Sequence, residues 1–123
     1  MADYKCTVKY SSKELTNREK ILAKDTTNAE KLDELLKPGE KVLINPDYYV
    51  VLSVHNERSD TKEYEQYMIV DKSGTKYYTG SPSFWESFSD IWEEMGGEDF
   101  SIEAYKVESK NYKGKHFLTC SIV

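Results

Sequence analysis

Hydrophobic and polar residues alternate over several short stretches of the chain, with the period of two that is typical of half-buried β-strands. The first is residues 4–10, where tyrosine, cysteine and valine alternate with lysine and threonine. Similar stretches, separated by turn sequences, cover residues 41–44, 48–55, 64–71, 75–79, 100–108 and 115–123. The pattern predicts antiparallel strands, with a short additional strand at 21–23 and a closing hairpin formed by the last two stretches.

Two other stretches have the spacing of helices. The stronger one has a single apolar stripe made by Phe84, Trp85, Phe88, Ile91, Trp92 and Met95. Ser81 followed by Pro82 is typical of a helix start, and two glycines follow the last turn. A shorter helix is predicted at residues 29–36, because Thr27 and Glu30 have the spacing of a capping box.

This order of elements predicts a mainly β fold. A helix before the closing hairpin is typical of a small five-stranded Greek-key barrel of the oligonucleotide-binding (OB) type, in which the last loop reaches the ligand. We therefore expect one OB-like β-barrel domain over residues 1–123, with one amphipathic helix before a C-terminal β-hairpin. An open antiparallel α+β sheet with the helix across one face is the alternative.

Composition limits the function. The 123 residues include 22 acidic and 17 basic side chains, so the net charge of -5 excludes a uniformly basic nucleic-acid coat protein. No apolar run is long enough to span a bilayer and no apolar signal core follows Met1, so we expect a cytoplasmic protein without a membrane partner. Cys6 and Cys120 lack the spacing of a metal site and are expected to be buried free thiols.

Charge is unevenly distributed along the chain. Residues 82–104 carry seven acidic side chains and no lysine or arginine, whereas residues 105–116 carry four lysines and one acid, Glu108. Four of the acids lie off the apolar stripe of the stronger helix: Glu86, Asp90, Glu93 and Glu94. The solvated side of a helix is the simplest explanation for these acids. The lysine-rich residues 105–116, which form the basic tip, require another explanation, because a hairpin turn does not need several lysines.

Catalytic motifs are absent from the sequence. It contains no nucleophile elbow, phosphate-binding loop, dinucleotide-binding glycine motif or zinc-protease helix. General acid and base chemistry needs paired carboxylates in a pocket, and the acids here cluster on a predicted helix face. We therefore expect a protein that is not an enzyme and that has no cofactor and no metal site.

Tyrosines and lysines are the candidate binding residues. Exposed rings interleaved with lysines suit single-stranded nucleic acid, because bases stack on the rings and lysine neutralises phosphate. The predicted binding residues lie on outward strand positions and at the hairpin tip: Tyr49, Tyr67, Lys76, Tyr78, Lys110, Tyr112, Lys113 and Lys115. The alternative for the strand tyrosines is that they complete a small core, with their hydroxyls at its rim. Duplex binding is less favoured, because the stronger helix is acidic.

Residues 79–88 (TGSPSFWESF) and 105–118 (YKVESKNYKGKHFL) resemble the end of small phage-type single-stranded DNA-binding proteins. In that family a helix precedes a strand, a Ser/Lys/Gly loop and a final alternating strand. The resemblance implies an OB-fold that coats DNA strands during replication or recombination of a phage or mobile element. Lys110, Lys113 and Lys115 match the loop of the family, and Tyr112 is the stacking residue beside them.

Two binding functions follow as alternatives, and a small enzyme, whose pocket a sequence would not reveal, is the least favoured third. The first is a non-catalytic protein, a monomer or small homo-oligomer, that binds single-stranded DNA, with RNA as the alternative strand. The second is a protein-interaction module or inhibitor, in which the acidic helix face mimics nucleic acid and docks on a basic host protein.

Overall fold

The structure is a computed structural model that describes residues 4–58 and 62–123. Its backbone contacts divide the chain into two compact units. Within the described residues, the first unit comprises 4–30, 47–58 and 62–80, and the second unit comprises 31–46 and 81–123. The single domain expected over residues 1–123 stays a prediction.

The described residues form eight strands and three helices. The strands are β1 (Tyr4–Ser11), β2 (Ala29–Lys31), β3 (Lys41–Ile44), β4 (Pro46–Asn56), β5 (Glu63–Asp71), β6 (Lys76–Thr79), β7 (Ile102–Glu108) and β8 (His116–Ile122). The helices are α1 (Asn17–Lys24), α2 (Leu32–Leu35) and α3 (Pro82–Met95). The strand stretches predicted from alternation are thus confirmed apart from the short one at 21–23.

The first unit contains a five-stranded sheet with the strand order β1-β4-β5-β6-β2. Antiparallel pairing places Val8 opposite Leu52 and Met68 opposite Tyr78. One face of this first sheet packs against α1 and the segment before it, in a core made by Leu15, Ala23, Val50, Leu52, Met68 and Val70. The alternating residues Val50 and Leu52 of β4 thus face this core.

Helix α1 replaces the short strand expected at residues 21–23, so that prediction is wrong. Thr16 is the N-cap of α1: its hydroxyl accepts a hydrogen bond from Glu19 N (3.1 Å), and the Glu19 carboxylate accepts one from Thr16 N (3.0 Å). This capping box pairs two of the backbone N–H groups that a helix start leaves unsatisfied. It therefore favours a helix over the strand that the short apolar run suggested.

The helix expected at residues 29–36 is shorter than predicted. Asp25 Oδ1 accepts a hydrogen bond from Thr27 N (2.9 Å), and Thr26 O accepts one from Ala29 N (3.1 Å). The chain therefore turns before Ala29, and the three residues of β2, Ala29–Lys31, pair beside β6 at the edge of the first sheet. Only α2 remains helical.

The second unit contains a three-stranded antiparallel sheet with the order β3-β7-β8. One face of this second sheet is buried and carries Ile44, Ile102, Ala104, Leu118 and Cys120. Helix α3 packs along β8, where Ser83 Oγ donates to Leu118 O (2.7 Å). Phe84 and Phe88 of α3 are fully buried.

The predicted ends of α3 are confirmed. Ser81 is the N-cap and accepts a hydrogen bond from Phe84 N (3.3 Å), and Pro82 is the first helical residue. Gly96 ends the helix with a φ of 58°, a left-handed conformation that glycine adopts without steric cost.

The OB-like barrel prediction is wrong, whereas the mainly β class is confirmed. β1 and β2 are the two edges of the first sheet, and β3 pairs with β7 in a separate sheet. A closed barrel requires every strand to be paired on both sides, and β2 has only three residues with which to pair. The alternative, an open antiparallel α+β arrangement, fits the structure.

Candidate nucleic-acid interface

The predicted basic tip is the loop of residues 109–115 between β7 and β8. The strands pair as far as Glu108, which lies opposite His116. Beyond that pair, Ser109 N donates to Lys115 O (2.8 Å) and Lys115 N donates to Tyr112 O (3.1 Å). These backbone hydrogen bonds close the loop and leave its long side chains available for a ligand.

Four of the eight predicted binding residues come together at this hairpin tip: Lys110, Tyr112, Lys113 and Lys115. All four are exposed, and the exposed fraction of Tyr112 is 64%. Lys115 Nζ lies 5.4 Å from the centroid of the Tyr112 ring, within the range of a cation–π contact. The tip therefore presents an aromatic surface beside a positive charge.

Few negative charges compensate the lysines of the tip. Within residues 4–58 and 62–123, no carboxylate forms an ion pair with Lys110, Lys113 or Lys115. Glu108, the last residue of β7, is the acid next to the tip in sequence, and its carboxylate accepts a hydrogen bond from Gly114 N (3.3 Å). Three positive charges within one loop attract phosphate groups in a salt-dependent manner.

Tyr49 and Tyr67 do not lie on an exposed surface, so the expectation that they face outward is wrong. Their exposed fractions are 8% and 7%. The Tyr49 ring contacts that of Tyr10 with a centroid distance of 5.9 Å, and burial raises the pKa of Tyr49 to about 12. Burial also raises the pKa of Tyr67. Both rings lie opposite the α1 face of the first sheet, and that side is also buried at Val51 and Ile69.

Lys76 and Tyr78 lie on the α1 face of the first sheet and are engaged by the fold. Tyr78 packs against the core beside Met68, which it opposes across the β5–β6 pair. Lys76 Nζ donates to two backbone carbonyls at the C-terminal end of α1, Leu22 O (2.9 Å) and Asp25 O (2.8 Å). The ammonium group thus caps a helix end, where a positive charge is favourable.

The acidic face predicted for α3 is present. The carboxylates of Glu86, Asp90, Glu93 and Glu94 are exposed. Among the residues that the structure describes, none of these carboxylates forms an ion pair. The face is negative and solvated.

The second face of the second sheet was not predicted as a binding surface. The strand registers place eight side chains there: Lys41, Leu43, Glu103, Tyr105, Val107, Phe117, Thr119 and Ser121. Leu43 and Phe117 have exposed fractions of 54% and 42%. The signal for this outer face was in the sequence, because Tyr105 and Val107 alternate with Ala104 and Lys106.

The thiols and acids of the described part form no metal site. No group of three or more histidine, cysteine, aspartate or glutamate side chains in it could hold a metal ion. Both cysteines are free, and burial raises the pKa of Cys120 to about 12, whereas Cys6 is only half-buried. None of the helices described is both long enough and apolar enough to cross a membrane.

Comparison with known proteins gives no relative for this chain. No family model, no curated protein and no solved structure matches it.

Proposed function

We propose that the protein binds single-stranded DNA through the hairpin tip of its second unit, without catalysing a reaction. The observation that supports this proposal is one loop, closed by its own backbone, that exposes Tyr112 and three lysines with no ion-pair partner among residues 4–58 and 62–123. Lysine neutralises phosphate, and a tyrosine ring stacks on any base. A flexible strand can bring both groups to such a loop at once.

The proposed setting is replication or recombination of a phage or mobile element, where the protein coats exposed strands. This part of the proposal rests on the resemblance of residues 79–88 and 105–118 to phage-type single-stranded DNA-binding proteins. Duplex DNA is a poorer ligand for the tip, because the bases of a duplex are already stacked and paired. RNA presents the same phosphates and bases in single strands, so it is tested beside DNA.

The test is fluorescence anisotropy of a labelled single strand of mixed sequence, titrated with the full chain at several salt concentrations. A duplex of the same sequence and an RNA strand of the same length are measured in parallel. We expect salt-sensitive binding to the single strand and weak binding to the duplex.

The decisive variant reverses Lys110, Lys113 and Lys115 to glutamate. Loss of three phosphate contacts should weaken binding by more than about tenfold and lower the slope of log affinity against log salt by about 2. The matched control reverses three exposed lysines outside the tip, Lys5, Lys20 and Lys37, and changes the net charge equally. A similar loss in both variants would show that net charge, and not the tip, governs binding.

A second candidate function uses the acidic face of α3, whose exposed carboxylates resemble a row of phosphates. A protein that mimics nucleic acid in this way would dock on a basic host protein. The same titration separates the two functions. Absence of strand binding at low salt would reject the proposal and favour the acidic face.

A further inference from the structure

The outer face of the second sheet carries two aromatic rings on neighbouring strands. Tyr105 of β7 lies opposite Thr119 of β8, and Phe117 is two residues from Thr119 on the same strand. The two rings are therefore diagonal neighbours on one face, and such neighbours are about 7–8 Å apart. This spacing lets each ring receive a separate flat ligand.

The rings differ in how they are held. The Tyr105 hydroxyl hydrogen-bonds the Ser121 hydroxyl (2.5 Å), and Lys41 Nζ lies 5.4 Å from the centroid of the Tyr105 ring. Lys41 also forms an ion pair with Glu103 (3.4 Å), which compensates the acid of this face. Tyr105 is thus fixed by its neighbours, whereas Phe117 projects into solvent with nearly half of its surface exposed.

The outer face is continuous with the hairpin tip. Val107 and Phe117 form the last outer pair of the hairpin, and the next pair, Glu108 and His116, borders the loop. Lys113 and Lys115 are therefore only a few residues from the Phe117 ring along β8 and its loop. A strand whose phosphates contact the tip meets the two rings next along the hairpin.

We infer that the outer face of the second sheet is a base-stacking platform, on which Phe117 and Tyr105 each hold one base of the single strand bound at the tip. The inference rests on the proposed function and names the surface that binds the bases. Rings on a sheet are a general means of binding unpaired bases without sequence preference, because every base has a face that stacks. In this inference Phe117 and Tyr105 take the base-stacking role that was predicted for Tyr49, Tyr67 and Tyr78 of the first sheet. Tyr49 and Tyr67 are buried.

The experiment compares two strands with the same phosphates, one of thymidines and one in which the bases are removed. The platform contacts bases and binds only the first of these strands, whereas the lysines of the tip bind the phosphates of both. We expect Phe117→Ala in the full chain to weaken thymidine-strand binding about tenfold and to leave abasic-strand binding within about twofold. Tyr105→Ala should act in the same direction.

Two further variants keep the result interpretable. Phe117→Tyr retains a ring and should keep the preference for the thymidine strand. Leu35→Ala removes a similarly exposed apolar side chain from α2, with an exposed fraction of 40%, and should change neither affinity. Thermal unfolding shows that each variant is folded.

The outcomes separate this inference from the function on which it rests. If the chain binds both strands equally and Phe117→Ala changes nothing, the platform is wrong and the phosphate-binding tip remains. If the chain binds neither strand, the proposed function fails as well. If Phe117→Ala changes the sedimentation coefficient and leaves the preference between strands intact, the outer face is a contact between copies of this chain and the inference is overturned.

Discussion

The strand tyrosines predicted to bind and the aromatic residues of the second sheet differ in exposure. In the first sheet Tyr49 and Tyr67 are almost fully buried, and Tyr78 packs on the core. In the second sheet one face is buried, while Phe117 on the other face is 42% exposed. The tyrosines predicted to bind on the first sheet are therefore less accessible than Phe117, whereas Tyr4 and Tyr10 on its edge strand β1 are exposed.

Three lysines of the first unit are engaged by other groups of the fold, unlike the lysines of the hairpin tip. In the first unit Lys9 forms an ion pair with Glu65 (2.5 Å), Lys13 forms one with Glu19 (2.8 Å), and Lys76 caps α1. At the hairpin tip of the second unit the lysine side chains extend into solvent. Composition alone cannot distinguish these cases, because the difference lies in what each ammonium group contacts. It follows that a count of tyrosines and lysines locates a binding surface less well than their partners do.

The largest effect expected from this comparison is on stability. Tyr67→Ala empties a buried site and should lower the free energy of unfolding by about 3 kcal/mol. Phe117→Ala removes a half-exposed ring and should lower it by less than about 1 kcal/mol. Urea unfolding followed by circular dichroism measures both. Equal losses in the two variants would show that Phe117 is a structural residue, contrary to the division drawn between the sheets.

The elements predicted well were those whose signals are local. The apolar stripe of α3 and its caps at Ser81 and Pro82 lie within one helix, and each was identified from sequence. The hairpin of β7 and β8 was identified because its two strands are joined by a short loop. The capping box of Thr16 and Glu19 was equally local but was overlooked, because the short apolar run after it suggested a strand.

The features that could not be predicted depend on distant pairing. β3 and β4 are separated only by Asn45, yet they belong to different sheets, and β3 pairs with β7 far along the chain. Nothing in the local alternation specifies that partner. The burial of Tyr49 had a weak signal, because residues 49–52 form an unbroken apolar run, which is typical of a strand buried on both faces.

A smaller effect should separate two lysines that were predicted to have the same role. Lys76→Met removes two hydrogen bonds to the end of α1 and should lower the free energy of unfolding by about 1–2 kcal/mol without weakening strand binding. Lys110→Met should do the reverse, with a stability change within about 0.5 kcal/mol and a measurable loss of affinity. Urea unfolding and anisotropy are measured on the same preparations. If Lys76→Met weakens binding in a protein of unchanged stability, its ammonium group belongs to the interface.

The smallest effect concerns the charge of Glu19 in the first unit. Hydrogen bonds from Lys13 and from the Thr16 backbone lower the pKa of Glu19 from 4.5 to about 2. A carboxyl group whose pKa is lower in the folded state stabilises the fold above its unfolded pKa, and this contribution disappears as the pH falls through the folded pKa. We therefore expect Glu19→Gln to be less stable than the natural chain at pH 6, with the difference shrinking below pH 4.5 and vanishing near pH 2.

Glutamine isolates the charge, because it can still accept the hydrogen bond from Thr16 N that completes the capping box. The difference in urea midpoint between the two proteins, measured across this pH range, therefore reports the ion pair with Lys13 and the favourable position of a negative charge in the first turn of α1. In a Lys13→Met background the same substitution should have a smaller effect, since the pair is already absent. A difference that stays constant with pH would mean that Glu19 acts through its shape and not its charge. It would also mean that the ion pair between Lys13 and Glu19 contributes little to stability, so that Lys13 would not differ from the lysines of the hairpin tip in this respect.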